Sequence, residues 1–377
     1  MSRAFIDFYK EHNFMPNRVP DQHKGIHGKR RDALYRHLGI APSFLAGRSV
    51  LEFGPGAGDN PVHTASYTPD LLVLVDGHDI SAQECRNKAD QGLFHAAHVE
   101  VVCQDVLSYD DERQFDLVIG EGLIHTQDNP KDFCKRMARF TKPGGLAIFT
   151  TLDAVSSFPD ILRRMFKPLF AIRHPEVGEC IKALAEFMKP DLDSLPGYAR
   201  PYEDWVLDNL IHPMHPNPFF PFTDSVEALG DDFDVYASHP HFMIDWRWYK
   251  AIPGQEDYNQ LSIEQYYSNL PFFIDCRLDP LSTPCDIDGR ALASLCEQAY
   301  DLHLDLWENL NNDQFNLFIS KIGEIRDLLT SFPATRQSLT TYIEGLQALK
   351  NGKQADFSDF HGWFGRGQMY VSYVRRT

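Results

Sequence analysis

An alternation of short apolar runs and helical patterns between residues 48 and 153 constrains the fold of this chain most strongly. Strands that alternate with helices along a chain are typical of a parallel sheet with helices packed on its faces. Both alternating sets of positions in the runs are apolar, as in central strands that are covered on both sides. The sequence therefore predicts an α/β fold, with strands at 49–53, 71–76, 99–105, 115–122 and 146–153.

The segments between these strands carry helix-start and turn signals. Asn60 followed by Pro61 has the pattern of an N-cap with proline at the first helical position, and Ser81 with Glu84 has the spacing of a capping box. The run TKPGG at 141–145 predicts the end of a helix and a turn into the fifth strand. These signals support the alternation of strands and helices.

The chain beyond residue 153 predicts additions to this sheet. Two of its strand candidates, 242–252 and 368–376, are alternatives for the antiparallel strand that closes the sheet, and the pattern does not decide between them. Three consecutive amphipathic helices toward the C-terminus predict a helical bundle. The other predicted elements are helices near 158–172 and 176–189, a segment rich in proline and aromatic residues at 211–222, a short helix at 223–230 and a strand at 233–237.

Charge and composition exclude several classes of partner. Asp and Glu number 53 against 36 Lys and Arg, so the formal net charge is -17 at pH 7 and nucleic acid is not an expected partner. The start of the chain lacks the apolar core of a signal peptide, and no stretch of about 18 uninterrupted apolar residues predicts a membrane span. The seven cysteines are scattered without a CxxC pair, which indicates reduced thiols. We therefore expect a cytoplasmic protein without a membrane partner.

A glycine-rich loop, VLEFGPGAGDN at residues 50–60, follows the first strand and precedes a helix. Gly54, Gly56 and Gly58 permit a tight turn and a close approach of the backbone to a ligand, near the free N–H groups of the next helix. A dinucleotide fingerprint favours glycine or alanine where this chain has Asp59, so the loop fits pyrophosphate poorly. An acidic loop favours a ligand that is not an anion.

In this loop and the segments after it, the chain resembles the class I S-adenosylmethionine-dependent methyltransferases, whose motifs it matches in order over roughly residues 30–155. The resemblance places Asp76, at the end of the second strand, on the ribose hydroxyls, and its spacing from the glycines suits that role. It also places Asp105 at the adenine amino group, with Val106 beside the ring. Either aspartate alone is also typical of a solvated strand end, but the ordered matches favour a cofactor site.

The resemblance implies a Rossmann-like methyltransferase sheet with an inserted lid and an additional helical subdomain. The implied cofactor is S-adenosylmethionine, with S-adenosylhomocysteine as its product, and acidic groups such as Glu52 are expected to stabilise its positive end. The residues implied in cofactor binding are Glu52, Gly54, Pro55, Gly56, Gly58, Asp76, Gly77, Asp105, Val106, Glu121 and Gly122.

On this basis we divide the chain into five segments. The first is expected to cover the cofactor, the second to bind it and the third to contact the acceptor. The segments are an N-terminal helical segment at 1–47, the Rossmann-like core at 48–155, an inserted lid or acceptor region at 156–222, the rest of the core sheet at 223–255, and a C-terminal helical subdomain with a terminal strand at 256–377.

Two residues after the fourth strand are candidates for catalysis. Methyl transfer is an in-line displacement, which requires alignment of the acceptor and exclusion of water. His125 is a candidate general base, because its loop faces the methyl group in this fold and imidazole titrates near neutral pH. Glu121 is a second candidate and is equally suited to contact the cofactor. For His125 the alternative is a packing role in the cofactor pocket or a capping role for the helix near Pro130.

A basic cluster, DQHKGIHGKRR at residues 21–31, stands out in so acidic a chain. It is suited to hold the cofactor carboxylate or an anionic acceptor such as a phosphate-bearing sugar, and it is equally typical of a solvated helix face. Four histidines are candidate metal ligands: His212, His215, His239 and His241. Neighbouring prolines favour rigid loop turns instead, so no metal is expected.

The expected function is transfer of a methyl group from S-adenosylmethionine to a small-molecule acceptor, at oxygen in preference to nitrogen or carbon. A sugar, a nucleotide-sugar or another biosynthetic intermediate is the expected acceptor class. A non-catalytic cofactor-binding interaction module is one alternative. An NAD-dependent oxidoreductase or epimerase is another, which Asp59 and the absence of a Tyr-x-x-x-Lys pair disfavour. A homodimer is an option that the sequence leaves open.

Overall fold

The structure is a computed structural model that describes Phe8, Glu11 and residues 23–377, apart from residues 196, 197, 199, 255 and 256. The chain forms two compact units. The first unit comprises Met1–Leu152, Asn217–Tyr266 and Gln368–Thr377, and the second comprises Asp153–Pro216 and Tyr267–Gly367. The second unit therefore combines most of the segment predicted as an acceptor region with the C-terminal helices.

A seven-stranded sheet organises the first unit, with strand order β3-β2-β1-β4-β5-β7-β6. The strands β1 to β5 are parallel to one another, and β7 is antiparallel to both β5 and β6. This is the Rossmann-like α/β sheet that the sequence predicts. The strands are β1 Ser49–Phe53, β2 Leu71–Asp76, β3 His98–Cys103, β4 Phe115–Gly120, β5 Thr141–Thr151, β6 Phe233–His239 and β7 Met369–Arg375.

Helices connect these strands and build the second unit. In chain order they are α1 Lys24–His37, α2 Pro42–Leu45, α3 Asp59–Ala65, α4 Asp79–Asp90, α5 Pro130–Ala138, α6 Phe158–Arg164, α7 Phe166–Ala171, α8 Val177–Asp193, α9 Tyr202–Val206, α10 Phe222–Leu229, α11 Tyr258–Asn269, α12 Gly289–Glu308, α13 Asn312–Leu328 and α14 Pro333–Lys350. The last three are the amphipathic helices that the sequence predicts. Among the described residues, none of the helices has both the length and the apolar character to cross a membrane.

The strand predicted at 242–252 is wrong, and β7 is the antiparallel strand of the sheet. The predicted run alternates apolar residues, yet its Trp246 and Trp248 are 88% and 70% exposed. Asp245 accepts a hydrogen bond from the backbone N–H of Arg247 at 2.9 Å, which turns the chain locally. Such a local bond offers the backbone an alternative to a sheet ladder.

Three other local predictions need correction. The Asn60 cap is wrong because α3 begins at Asp59 with Gly58 as its N-cap, and Ser81 lies inside α4, whose N-cap is His78. The turn at 141–145 belongs to β5, which pairs with β4 from Thr141 onward through a register shift. The third strand is not covered on both sides: β3 lies at an edge of the sheet, and His98, Glu100 and Cys103 on it are exposed.

A buried ion pair fixes the packing of helices within the second unit. Arg163, from α6, is fully buried and donates through Nε and Nη2 to the two carboxylate oxygens of Asp191, from α8, at 2.7 and 3.1 Å. Its remaining Nη1 donates to the carbonyl of Pro159, and Nη2 also donates to that of Trp363. Because both charges have several partners, this pair avoids the large penalty of an isolated buried charge.

Candidate active site

The glycine loop runs from the end of β1 into α3, at the edge of the sheet where the parallel strands end. Gly54, Gly56 and Gly58 have φ values of 65°, 56° and 81°, a region that L side chains rarely adopt. A Cβ on Gly54 would lie 2.5 Å from the Leu123 side chain, so glycine is also required there by space. Among the described residues, no atom outside the immediate chain neighbours lies within 4 Å of a Cβ built on Gly56, so this part of the structure leaves open space in front of the loop.

Asp76 joins this loop to the end of β2. Its carboxylate accepts hydrogen bonds from the backbone N–H groups of Gly56 at 3.3 Å and His78 at 2.8 Å. Burial raises the pKa of Asp76, although both hydrogen bonds oppose the shift. The carboxylate is thus held against the glycine loop, and its role as the ribose ligand stays a prediction.

Glu52 lies beneath the loop, within β1, and is 2% exposed. Burial, with the negative charge of Glu121 as a second cause, raises its pKa to about 8. Among the described residues its Oε2 atom has no hydrogen-bond partner. A buried carboxylate oxygen without a partner is costly, so Glu52 fits a cationic group such as the ammonium or sulfonium of the implied cofactor.

Glu121, at the end of β4, is held by side chains from two helices. Arg31, from α1, donates through Nη1 and Nη2 to its two oxygens at 2.8 and 2.6 Å, and Asn60 donates to Oε2 at 3.1 Å. Arg31 is 5% exposed, and its Nε has no hydrogen-bond partner in the described part of the chain. Glu121 is thus a fixed anion that already accepts three hydrogen bonds, close enough to Glu52 to affect its pKa.

Asp105 follows β3 and is exposed. Its carboxylate accepts a hydrogen bond from the backbone N–H of Leu107 at 2.8 Å, which orders the turn that contains Val106. A Cβ built on Gly77 would lie 3.5 Å from the Asp105 Cα, so the chain after β2 closely approaches the chain after β3. Asp76, at the end of β2, and Asp105, after β3, therefore lie at the same edge of the sheet, and their contacts with a nucleoside stay predictions.

His125 lies half-buried in the 3-10 turn Ile124–Thr126, directly after β4. Gly122, at φ 70°, donates its backbone N–H to the Thr150 hydroxyl of β5 at 2.8 Å, which ties this loop to the neighbouring strand. The loop therefore holds Glu121 and His125 at the carboxyl end of β4. No described contact identifies His125 as a base, so this role stays a prediction.

The basic cluster separates into buried and exposed members. Arg31 points inward to Glu121, whereas Lys29 and Arg30 are exposed on α1. His27 is half-buried, and burial together with the positive charge of Arg31 lowers its pKa. Asp21 and Gln22, from the start of the predicted cluster, lie outside the described residues. Of this cluster, Arg31 thus contacts the candidate site residue Glu121.

The histidines considered for a metal have other contacts. His239 and His37 place their Nδ1 atoms 2.8 Å apart, and His212 contacts Arg164. Within the ranges that the structure describes, no group of three or more His, Cys, Asp or Glu side chains is arranged to hold a metal ion.

Sequence reasoning missed several residues around Glu121. Tyr35 donates or accepts a hydrogen bond with Thr64 at 2.6 Å and lies against Arg31, while Asn60 binds Glu121 instead of capping α3. Tyr370, on β7, is close enough to Glu121 and Arg31 that their charges act on its pKa. Most of these contacts join residues far apart in the sequence, so no local pattern predicts them. Arg31 and Tyr35 are the exception, because their spacing of four residues places them on the same face of a helix.

Comparison with known families and proteins gives a partial match. A family model described as "Methyltransferase domain" matches residues 50–145, from β1 to the first half of β5. The mitochondrial ubiquinone biosynthesis O-methyltransferase of Arabidopsis thaliana is 28% identical over 129 residues, which cover 33% of this chain and 39% of that protein. This chain thus spans about two fifths of that relative.

Two solved structures align with parts of this chain at low identity. PKMT2 from Rickettsia typhi aligns with a TM-score of 0.45 and 16% identity, covering 63% of this chain and 49% of that one. Magnesium protoporphyrin IX methyltransferase from Synechocystis PCC 6803, solved with bound S-adenosylhomocysteine, aligns with a TM-score of 0.36 and 15% identity, covering 62% and 85%.

Proposed function

We propose that the chain is a class I S-adenosylmethionine-dependent methyltransferase that transfers a methyl group to an oxygen atom of a small-molecule acceptor, because its residues 50–145 match a methyltransferase-domain family model. The domain match favours methyl transfer over the NAD-dependent alternative. The cofactor of this family is S-adenosylmethionine, and the site residues described above fit it.

The observation that carries this proposal is the buried carboxylate of Glu52 beneath the glycine loop, whose Oε2 has no hydrogen-bond partner among the described residues. A pyrophosphate over Glu52 would oppose its ionisation, whereas a cationic methionine moiety would favour the ionised form and pair with it. Asp76 adds a second carboxylate at the loop. The electrostatics of the site thus favour a cationic nucleoside over a dinucleotide.

S-adenosylmethionine, when bound, supplies an electrophilic methyl group on a sulfonium. The chain itself has to orient the two reactants, exclude water and accept the acceptor's proton. Glu52 and Asp76 orient the cofactor. Glu121 already accepts hydrogen bonds from Arg31 and Asn60, so we assign it to positioning and assign proton removal to His125.

The proposal also names the atom that is methylated and the class of the acceptor. The plant relative is by its name an O-methyltransferase of ubiquinone biosynthesis, which supports oxygen as the methylated atom. We propose a sugar, a nucleotide-sugar or another biosynthetic intermediate as the acceptor. Oxygen acceptors of this kind must lose a proton during transfer, which agrees with a histidine after β4.

The test measures S-adenosylhomocysteine binding by calorimetry and its release during turnover with a panel of hydroxylated acceptors. We expect binding of S-adenosylhomocysteine but not of NAD, and release that depends on an oxygen acceptor. Failure of the full chain to bind S-adenosylhomocysteine would contradict the proposal. Binding without transfer to any acceptor would instead favour the non-catalytic module.

The role of His125 has a separate test. We expect His125→Ala to lower kcat at saturating acceptor by about a hundredfold or more, the usual contribution of a general base, while S-adenosylhomocysteine affinity changes by less than about twofold. His95→Ala, at an exposed position of the same unit, is the matched control. A normal kcat for His125→Ala would assign His125 to packing.

A further inference from the structure

In the first unit, α1 packs along α3, and the contacts between the two helices follow the same direction along the chain. Near the end of both helices, the hydroxyls of Tyr35 and Thr64 lie 2.6 Å apart. One turn earlier on both helices, Arg31 and Asn60 donate to the same carboxylate, that of Glu121. A further turn toward the start of α1 therefore leads past the start of α3, to the glycine loop.

His27 occupies that next turn of α1. It precedes Arg31 by four residues, so the two side chains share one face of the helix. Burial and the charge of Arg31 lower the pKa of His27, whereas the charges of Asp59 and Glu121 raise it. His27 thus lies near the residue that ends the glycine loop and near the residue that follows β4. It also lies outside residues 50–145, so the family match assigns it no role.

Three buried atoms around the site lack a hydrogen-bond partner within the described ranges: Nε2 of His27, Nε of Arg31 and Oε2 of Glu52. Arg31 Nε is a donor, as is His27 Nε2 in the tautomer that carries its hydrogen there, and Glu52 Oε2 is an acceptor. The charges of Arg31 and Glu121 act on the pKa of both His27 and Glu52, which places the three atoms around one ion pair.

Packing alone does not explain this set of atoms. A buried polar atom without a partner costs free energy, and an apolar side chain at either end would avoid that cost. The glycine loop beside them has open space in front of Gly56 in the described part of the chain. The set therefore fits a ligand that brings an anionic acceptor to His27 and a cationic donor to Glu52.

Taking S-adenosylmethionine as the cofactor, as in the proposed function, we propose that His27 binds the carboxylate of its amino-acid end while Glu52 binds the ammonium. An α-amino acid carries both charged groups on one carbon, which is the combination that the unsatisfied atoms lack. Nε of Arg31 is the second donor to the same carboxylate. A phosphoryl group would satisfy the two donors but would oppose the ionisation of Glu52. His27 thus makes α1 a part of the site that selects ligands by their carboxylate.

The test compares two ligands by calorimetry on the full chain at pH 8. One is S-adenosylhomocysteine, and the other is 5′-S-(3-aminopropyl)-5′-thioadenosine, which keeps the ammonium and lacks the carboxylate. We expect His27→Ala to weaken binding of S-adenosylhomocysteine about tenfold, the effect of losing one hydrogen bond to a charged group. Binding of the aminopropyl ligand should change by less than about twofold, whereas Glu52→Gln should weaken binding of both ligands.

Two further variants separate binding from packing. His27→Gln keeps an N–H donor and should hold the S-adenosylhomocysteine affinity within about threefold of that of the unmodified chain. Lys29→Ala, at an exposed position of α1, is the matched control and should change either affinity by less than about twofold.

The assignment of His27 is overturned if His27→Ala weakens both ligands equally, weakens neither, or matches Lys29→Ala. It is also overturned, with the proposed function intact, if the unmodified chain binds the two ligands equally well. Binding of neither ligand by the unmodified chain would instead overturn the proposed function together with this assignment.

Discussion

Each of the two units buries an arginine against a carboxylate, but the two ion pairs differ in how many of their polar atoms have hydrogen-bond partners. In the second unit, Arg163 uses every nitrogen, and Asp191 also accepts the backbone N–H of Gly362 at 2.8 Å. In the first unit, Arg31 binds Glu121 through two nitrogens, and its charge acts on Glu52. Among the described residues, neither Nε of Arg31 nor Oε2 of Glu52 has a hydrogen-bond partner. The Arg163 pair is complete, whereas the Arg31 pair leaves two buried polar atoms unsatisfied within the described part of the chain.

This difference separates a pair that stabilises the fold from a pair that belongs to a binding site. A complete buried pair gains nothing from a ligand, and losing either partner leaves an isolated charge. An incomplete pair reduces the stability of the free protein, and a ligand that supplies the missing partners recovers that free energy. The structure therefore predicts opposite responses to substitution in the two units.

The largest effect is expected for Arg163→Met in the second unit. It leaves Asp191 buried without its guanidinium, so the free energy of unfolding should fall by about 3 to 5 kcal/mol. The affinity of the folded protein for S-adenosylhomocysteine should stay within about twofold. Urea unfolding and calorimetry measure the two quantities. Arg173→Met, at an exposed position of the same unit, is the control, and a loss as large there would contradict the special role of the Arg163 pair.

A smaller effect of opposite sign is expected for Glu52→Gln in the first unit. The folded state raises the pKa of Glu52 from 4.5 to about 8, so it binds the proton more tightly than the unfolded state does. The contribution of protonated Glu52 to the free energy of unfolding is therefore fully present below about pH 4.5. It is lost as the pH rises toward 8. At pH 8, Glu52→Gln should stabilise the free protein by about 2 to 4 kcal/mol, a gain that shrinks toward pH 5.

Thermal unfolding at pH 5 and pH 8 measures this gain. Glu112→Gln, an exposed position in the same unit, should change stability by less than about 0.5 kcal/mol at either pH. A destabilised Glu52→Gln protein at pH 8 would mean that the carboxylate has a partner in solution, and the contrast between the two units would fail.

The smallest effect is expected for the double variant Lys29→Glu and Arg30→Glu. Both side chains are exposed on α1, whereas Arg31 beside them is buried. The reversal should change S-adenosylhomocysteine affinity by less than about threefold at moderate ionic strength, because exposed charges are screened. A tenfold loss in calorimetry would show that the exposed part of the basic cluster contributes to the site.

The sheet was predictable from sequence because burial leaves a local pattern. β1 and β2 coincide with the predicted runs 49–53 and 71–76, and β7 has the alternation of a strand. The run 242–252 shares that alternation, but its Trp246 and Trp248 are exposed. Apolar alternation therefore predicts a strand only where a neighbouring strand supplies hydrogen bonds, and this information is not local.

The site was predictable in part for the same reason. Gly54, Gly56 and Asp76 lie within one strand-loop-helix unit, so their spacing alone brings them together. The Arg31–Glu121 pair joins residues ninety positions apart, and the basic cluster gave no sign that Arg31 differs from Lys29. The raised pKa of Glu52 depends on its burial and on the charge of Glu121, and the sequence around Glu52 indicates neither.

The pH dependence of S-adenosylhomocysteine affinity tests the role of Glu52 most directly. If the ligand's ammonium binds ionised Glu52, affinity should rise by up to about tenfold per pH unit between pH 6 and 8, since Glu52 loses its proton in that range. Glu52→Gln should bind more weakly, without this dependence. An affinity for the unmodified protein that is constant over this range, or an equal dependence in Glu52→Gln, would contradict the assignment of Glu52 as the ligand for the cationic cofactor.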